Sequence, residues 1–164
     1  MTFILEEIIS GLPDAKAITS LTIRLVIAMI LGAVVGAQRE RYGKPAGLRT
    51  HMLVSLGGAL FVIAALEFGM DADGISRVIQ GLVTGIGFLG AGAILKLREK
   101  REVEGLTTAA GIWLTAAVGV TVGLGRLGLA VVSIILAWIT LSLLGKVEAR
   151  INKKEVYKDE EMTE

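Results

Sequence analysis

Cysteine is absent from the 164 residues, which excludes disulfides, thiolate metal sites and cysteine nucleophiles together. Histidine occurs once, at His51. A metal ion there would find no second imidazole, so the residue reads as a polar side chain at a membrane interface. An excess of either charge is also missing: the net charge is +1, so no overall field points to nucleic acid. The first residues contain Glu6 and Glu7 but no base before Lys16. That is the wrong charge for the start of a signal peptide, and the segment is expected to be retained. No nucleophile stands with a base and an orienting partner. An enzyme is therefore not expected, and nothing calls for a cofactor.

What is present is apolar. Hydrophobic residues make up 53% of the chain, the mean hydropathy is +0.68, and the charges cluster between long apolar runs, the pattern of a polytopic membrane protein. Residues 1–17 read as a short amphipathic segment, with Phe3, Ile4, Ile8 and Ile9 on one face, too short to span and suited to the membrane surface. Five runs, 18–37, 50–68, 75–95, 106–124 and 127–145, are each long enough to cross about 30 Å of hydrocarbon. The fold class is all-α, a five-span helical bundle over 18–145 embedded in a lipid bilayer. Residues 146–164 form a polar tail, read as disordered.

Lysine and arginine alternate between the ends of these runs. Arg39, Arg41, Lys44 and Arg49 follow the first, Lys96, Arg98, Lys100 and Arg101 the third, and Lys146, Arg150, Lys153, Lys154 and Lys158 the fifth. The other side holds only Lys16, Arg24, Arg77 and Arg126. Positive residues stay inside, so the C-terminus is placed in the cytoplasm and the N-terminus outside.

The third run carries five glycines in twelve residues, Gly81, Gly85, Gly87, Gly90 and Gly92. Each costs about 1 kcal/mol relative to alanine in a helix interior in water, so they need a reason. Gly85, Gly87 and Gly90 match the spacing of a dinucleotide fingerprint, but that motif acts only between a strand and a helix, and hydrocarbon removes it here. Two readings stay open. Gly81 and Gly85 form a small-xxx-small pair, repeated by Gly32 and Gly36 and by Gly119 and Gly123, which predicts close helix packing and a homodimer. Alternatively 85–92 departs from a regular helix and offers carbonyls to an ion, as broken transporter helices do. Gln80 sits one turn before the run, and Thr84, Thr107, Thr108 and Thr115 would face it in a modest polar path.

A second constellation follows the first span: Gln38, Arg39, Glu40, Arg49, Thr50 and His51. Gly43, Pro45 and Gly47 force a turn, and Thr50 is a candidate cap for the second span. The plain reading is a positive-inside loop with arginines reaching to headgroups. The functional reading is a hydrogen-bonded ionic cluster of Gln38, Arg39, Glu40 and Arg49 at a cavity mouth, fixed by an arginine to carboxylate contact. Arg24, Glu67 and Arg77 lie near span ends and read as snorkelling side chains. Asp71 and Asp73 are hard oxygen ligands suited to Mg2+, though two exposed carboxylates are more often just solvated, and the metal question stays open.

The blocks Gly32–Glu40 in sequence GAVVGAQRE, Pro45–His51 in PAGLRTH, Arg77–Gly81 leading into GIGFLGAGAI from Gly85, and Gly105–Ala110 in GLTTAA with Trp113 together resemble the N-terminal membrane domain of the MgtC/SapB family. The likeness covers about residues 21–144. It implies a cytoplasmic-membrane protein of a bacterium or archaeon, linked to Mg2+ homeostasis and growth in low magnesium. In some pathogens relatives support survival inside host phagocytes, and restraint of the membrane ATP synthase is one proposed mechanism. The implied role is non-enzymatic and exercised through membrane-protein partners, with a transporter or channel along the third span as the alternative and a structural subunit as a third. Many relatives carry Glu where this chain has Gln38, which takes a negative charge from the cluster, and many continue into a soluble ligand-sensing domain.

Overall fold

The computed structural model describes residues 14–96 and 103–144. Five helices follow in order: α1 (Ala15–Arg41), α2 (Leu48–Glu67), α3 (Ala72–Gly92), α4 (Leu106–Gly123) and α5 (Leu127–Ile139), the last continued by a π-helical turn over Thr140–Leu144. The first four are long and apolar enough to cross a membrane, and the fifth is a shorter apolar helix. At 1.5 Å per residue α1 is about 40 Å long and α4 about 27 Å. The all-helical membrane bundle expected from the apolar runs is therefore what forms. The proposed amphipathic helix within 1–17 and the tail 146–164 lie outside the described residues, apart from the stretch from Asp14 on.

Helix starts are set by local chemistry. Asp14 accepts from the Ala17 amide at 2.8 Å and Asp71 from the Gly74 amide at 2.9 Å, each satisfying a first-turn donor that has no intrahelical acceptor. The sequence reading of Asp71 as a metal ligand or a merely solvated carboxylate misses this capping role. Thr50 does not cap α2, because the helix begins at Leu48 with Gly47 as N-cap. Glu40 supplies the acceptor instead, its Oε2 lying 2.8 Å from the Leu48 amide.

The connection between α3 and α4 departs from a purely helical reading. Leu95–Lys96 pairs antiparallel with Val103–Glu104, a two-residue ladder that turns the chain. Gly105 then enters α4 at φ +95, and a Cβ there would collide with the Ala93 carbonyl. Both its backbone conformation and its surroundings require glycine.

α2 packs chiefly against α1 and α4, and α4 meets all four other helices. Glycine makes these approaches close. A Cβ at Gly32 would stand 2.5 Å from the His51 carbonyl oxygen, one at Gly123 2.8 Å from that of Ala59, and one at Gly119 would run into that of Ser55. Lipid tails offer no hydrophobic drive between helices, so contact of this kind carries the association. The small-residue pairs of the first and fourth spans thus both close onto α2 within one chain. The glycines of the third span do otherwise. α3 is a continuous α-helix, so the break entertained over 85–92 does not occur. A Cβ at Gly81, Gly85, Gly87 or Gly92 would meet nothing within 4 Å among the described residues, and one at Gly90 would make only ordinary contact with Ala109 at 3.6 Å.

Candidate functional site

Buried polar side chains among the described residues gather in one place. Gln38 and Arg39 from α1, His51 and Ser55 from α2, and Thr108 and Thr115 from α4 are all buried. The helical spacing of each pair explains the grouping: His51 and Ser55 lie one turn apart, Thr108 and Thr115 two turns apart, each pair along one stripe of its helix. The stripes face each other because Gly32, Gly111 and Gly119 bring the three helices together; a Cβ at Gly111 would lie 3.4 Å from His51 Cε1. From Thr108 to Thr115 the seam descends about 10 Å into the bundle.

Two hydrogen bonds order the seam. Arg39 donates from Nη2 to Thr108 Oγ1 at 2.8 Å. Thr115 Oγ1 donates to the Gly111 carbonyl at 2.8 Å and lies 2.8 Å from His51 Nδ1. A hydroxyl has one proton to give, so with that proton on Gly111 the network assigns the imidazole proton to Nδ1, donating to Thr115. At the edge, Gln38 donates from Nε2 to Ser142 Oγ at 3.0 Å, tying α1 to the π-helical turn. Among the described residues four buried atoms have no hydrogen-bond partner: Gln38 Oε1, Arg39 Nε, His51 Nε2 and Ser55 Oγ. Buried polar groups are normally bonded, and a buried charge normally has a counter-charge, so this concentration of open valences marks the site.

Below the seam the interior turns apolar. Ala28, Ala59 and Val122 belong to one buried apolar cluster there, with Val118 beside them. The polar seam therefore ends part of the way through.

The residues singled out in the sequence divide accordingly. Gln38, Arg39 and Thr108 enter the seam. Glu40, Arg49 and Thr50 are exposed, and Glu40 is engaged with the Leu48 amide. The expected arginine to carboxylate cluster is thus replaced by an arginine to threonine contact, because Arg39 turns inward and Glu40, the next residue on the helix, faces another direction. Gln80 and Thr84 are exposed on α3, where the Thr84 hydroxyl donates to the Gln80 carbonyl at 2.9 Å. Thr107 is exposed and lines a crevice of about 390 Å3 between α4 and α5 with Gly111, Ser133 and Thr140. The polar path expected around Gln80 is therefore not assembled there. His51 is fully buried rather than interfacial. Ser55 and Thr115 complete the site, and the four-residue spacing of His51 and Ser55 was the signal for the former. Arg24 does more than reach for headgroups: its Nη1 donates to the Gly123 carbonyl at 3.3 Å, serving the C-terminal end of α4 where cations are favoured. Among the described residues no group of three or more His, Asp or Glu side chains is placed to hold a metal ion.

Comparison with known proteins follows the same residues. The MgtC family profile matches residues 25–150. Protein SrpB of Synechococcus elongatus is 44% identical over 133 residues, covering 74% of this chain and 73% of that protein. Protein MgtC of Salmonella typhimurium is 41% identical over 131 residues, covering 80% of this chain and 55% of that protein. A protein of Escherichia coli named putative magnesium transporter YhiD is 38% identical over 143 residues, covering 82% and 65% respectively. The chain thus spans little more than half the length of its Salmonella relative. No solved structure matches it. With the family profile covering most of the bundle and relatives near 40% identity, this multi-pass membrane protein belongs to the MgtC family.

Proposed function

We propose that this chain is a non-enzymatic membrane factor in Mg2+ homeostasis and low-magnesium stress that works by binding other membrane proteins rather than by conducting an ion. The observation that carries this reading is the apolar layer beneath the polar seam, where Val118, Val122 and Ala59 are wholly or almost wholly buried. An ion path needs polar groups or water at every depth, and within one chain the seam stops at Ser55 and Thr115. A continuous α3 supports the same conclusion, since it offers no unwound carbonyls. The link to magnesium comes from the names of relatives, one of them a putative magnesium transporter.

The face that would meet a partner is α3. Gly81, Gly85, Phe88 and Leu89 are exposed on it, and a Cβ at Gly81, Gly85, Gly87 or Gly92 would meet nothing within 4 Å among the described residues. A second copy of the chain fits such a face, giving a homodimer, and the ATP synthase is a further candidate of the same membrane class. The excess of lysine and arginine at the α1–α2 turn orients that end, with the C-terminus, to the cytoplasm.

Photo-crosslinking from position 88 or 89 tests this, in a bacterium lacking its own relative and grown at limiting Mg2+. Restored growth with a crosslink to a distinct membrane protein or a second copy is expected. Restored growth with crosslinks to lipid alone contradicts it. A transport reading is favoured by one observation, the four unpartnered polar atoms of the seam, and it requires a second conformation that opens the apolar layer.

A further inference from the structure

We propose that the N-terminus of α4, with Arg39 at its side, binds a phosphate group, a site separate from the partner-binding role of α3. α4 is an 18-residue helix whose N-cap is Gly105, with no side-chain cap and no acid in its first turn. Its first intrahelical bond of the i to i−4 kind runs from the Ala109 amide to the Gly105 carbonyl at 2.8 Å. The amides of Leu106, Thr107 and Thr108 consequently have no acceptor within the helix. Leu106 and Thr107 are exposed, so this end is open.

Arg39 supplies the independent observation. It is 6% exposed, its Nη2 donates to Thr108 Oγ1 within that same first turn, and its Nε has no partner among the described residues. No carboxylate among them is bonded to it. A guanidinium so placed sits beside the positive end of a helix dipole, which raises the local potential instead of relieving it. Among the described residues two carboxylates are near in the chain. Glu40 is already committed to the Leu48 amide of α2. Glu104 is exposed and precedes the cap, and no hydrogen bond joins it to the α4 amides. Among the described residues α2 therefore carries its own anion, while α4 and Arg39 have none.

The chemistry selects a tetrahedral oxyanion. Helix-start amides and a guanidinium each take separate oxygens, and a phosphate has enough of them to engage both. A divalent cation is repelled by the same groups. The phosphate has two sources, free inorganic phosphate and the headgroup of a phospholipid, for which the crevice running along α4 and α5 from Thr107 to Thr140 offers about 390 Å3 beside the site.

The test uses the full chain, delipidated in a phosphate-free, uncharged detergent, with thermal unfolding followed by tryptophan fluorescence. One arm adds inorganic phosphate against chloride at matched ionic strength. The other adds phosphatidylglycerol against a glycolipid without phosphate. A rise in Tm of at least about 3 °C in either arm is expected, and the responding arm identifies the source. Thr107→Asp, at an exposed position, places a carboxylate in the first turn; it is expected to raise the starting Tm and abolish the response. Arg39→Gln is expected to weaken phosphate binding by about tenfold or more, and where that variant does not fold, Thr107→Asp decides. No shift in either arm, an equal shift with chloride or the phosphate-free glycolipid, or a full response in Thr107→Asp or in folded Arg39→Gln overturns the proposal.

Discussion

His51 Nδ1 lies 2.8 Å from Thr115 Oγ1, joining α2 to α4 at the level where the polar seam meets the apolar layer. Both side chains are fully buried, and the Gly111 carbonyl takes the threonine proton. With Ser55 one turn further along α2, the contact acts as a floor: above it lie Arg39 and Thr108, below it Val122 and Ala59.

The floor should be energetically coupled. In a double-mutant cycle of His51→Leu and Thr115→Val, thermal or denaturant unfolding in detergent is expected to give a coupling energy of about 0.5–3 kcal/mol. Thr115→Val alone leaves a buried imidazole N–H without an acceptor and should cost about 1–3 kcal/mol. Additive effects would mean that the two side chains do not interact.

Arg39 and Thr108 make the corresponding bond higher in the seam. Thr108→Val keeps the volume and deletes the acceptor of a charged donor, an expected loss of about 1.5–3 kcal/mol. Thr108→Ser keeps the hydroxyl and should lose less. A loss in Thr108→Ser as large as that in Thr108→Val would mean that the bond to Arg39 contributes no more than the methyl group does.

Glycine substitutions should separate packing from free surface. Gly119→Ala drives a methyl into the Ser55 carbonyl, and overpacking of this kind costs about 1–3 kcal/mol. Gly87→Ala meets nothing within 4 Å and should leave the stability of a single chain unchanged or raised. The two measurements are made side by side on the same unfolding assay.

Much of the fold is legible in the sequence because membrane spans announce themselves by length and apolarity. The apolar run places the start of α1 three residues late, since Asp14 caps a turn whose residues Lys16 and Ala17 are not especially apolar. The glycine pairs at 32 and 36 and at 119 and 123 show on their helices, but spacing along one helix says nothing about which neighbour it meets. That neighbour is α2 in both cases. The site is half legible. Arg39 and Thr108 stand out by type, yet their pairing bridges 69 positions of sequence. Glu40 misleads because it lies about 100° further round the helix from Arg39, on the side where its carboxylate takes the Leu48 amide.

Self-association through α3 makes its own prediction. Gly81→Leu and Gly85→Leu place branched side chains on the exposed face, and the dimer is expected to fall to monomer in analytical ultracentrifugation in detergent, with unfolding unchanged. An unaltered dimer in both variants would remove α3 from the interface.

If this bundle acts by contact, it should not conduct. Mg2+ flux into proteoliposomes containing the well-folded chain, followed with an entrapped Mg2+ indicator and compared with protein-free vesicles, tests that most directly. Uptake no faster than in the empty vesicles is the expected result; saturable Mg2+ uptake that is lost in Thr115→Val would contradict action by contact.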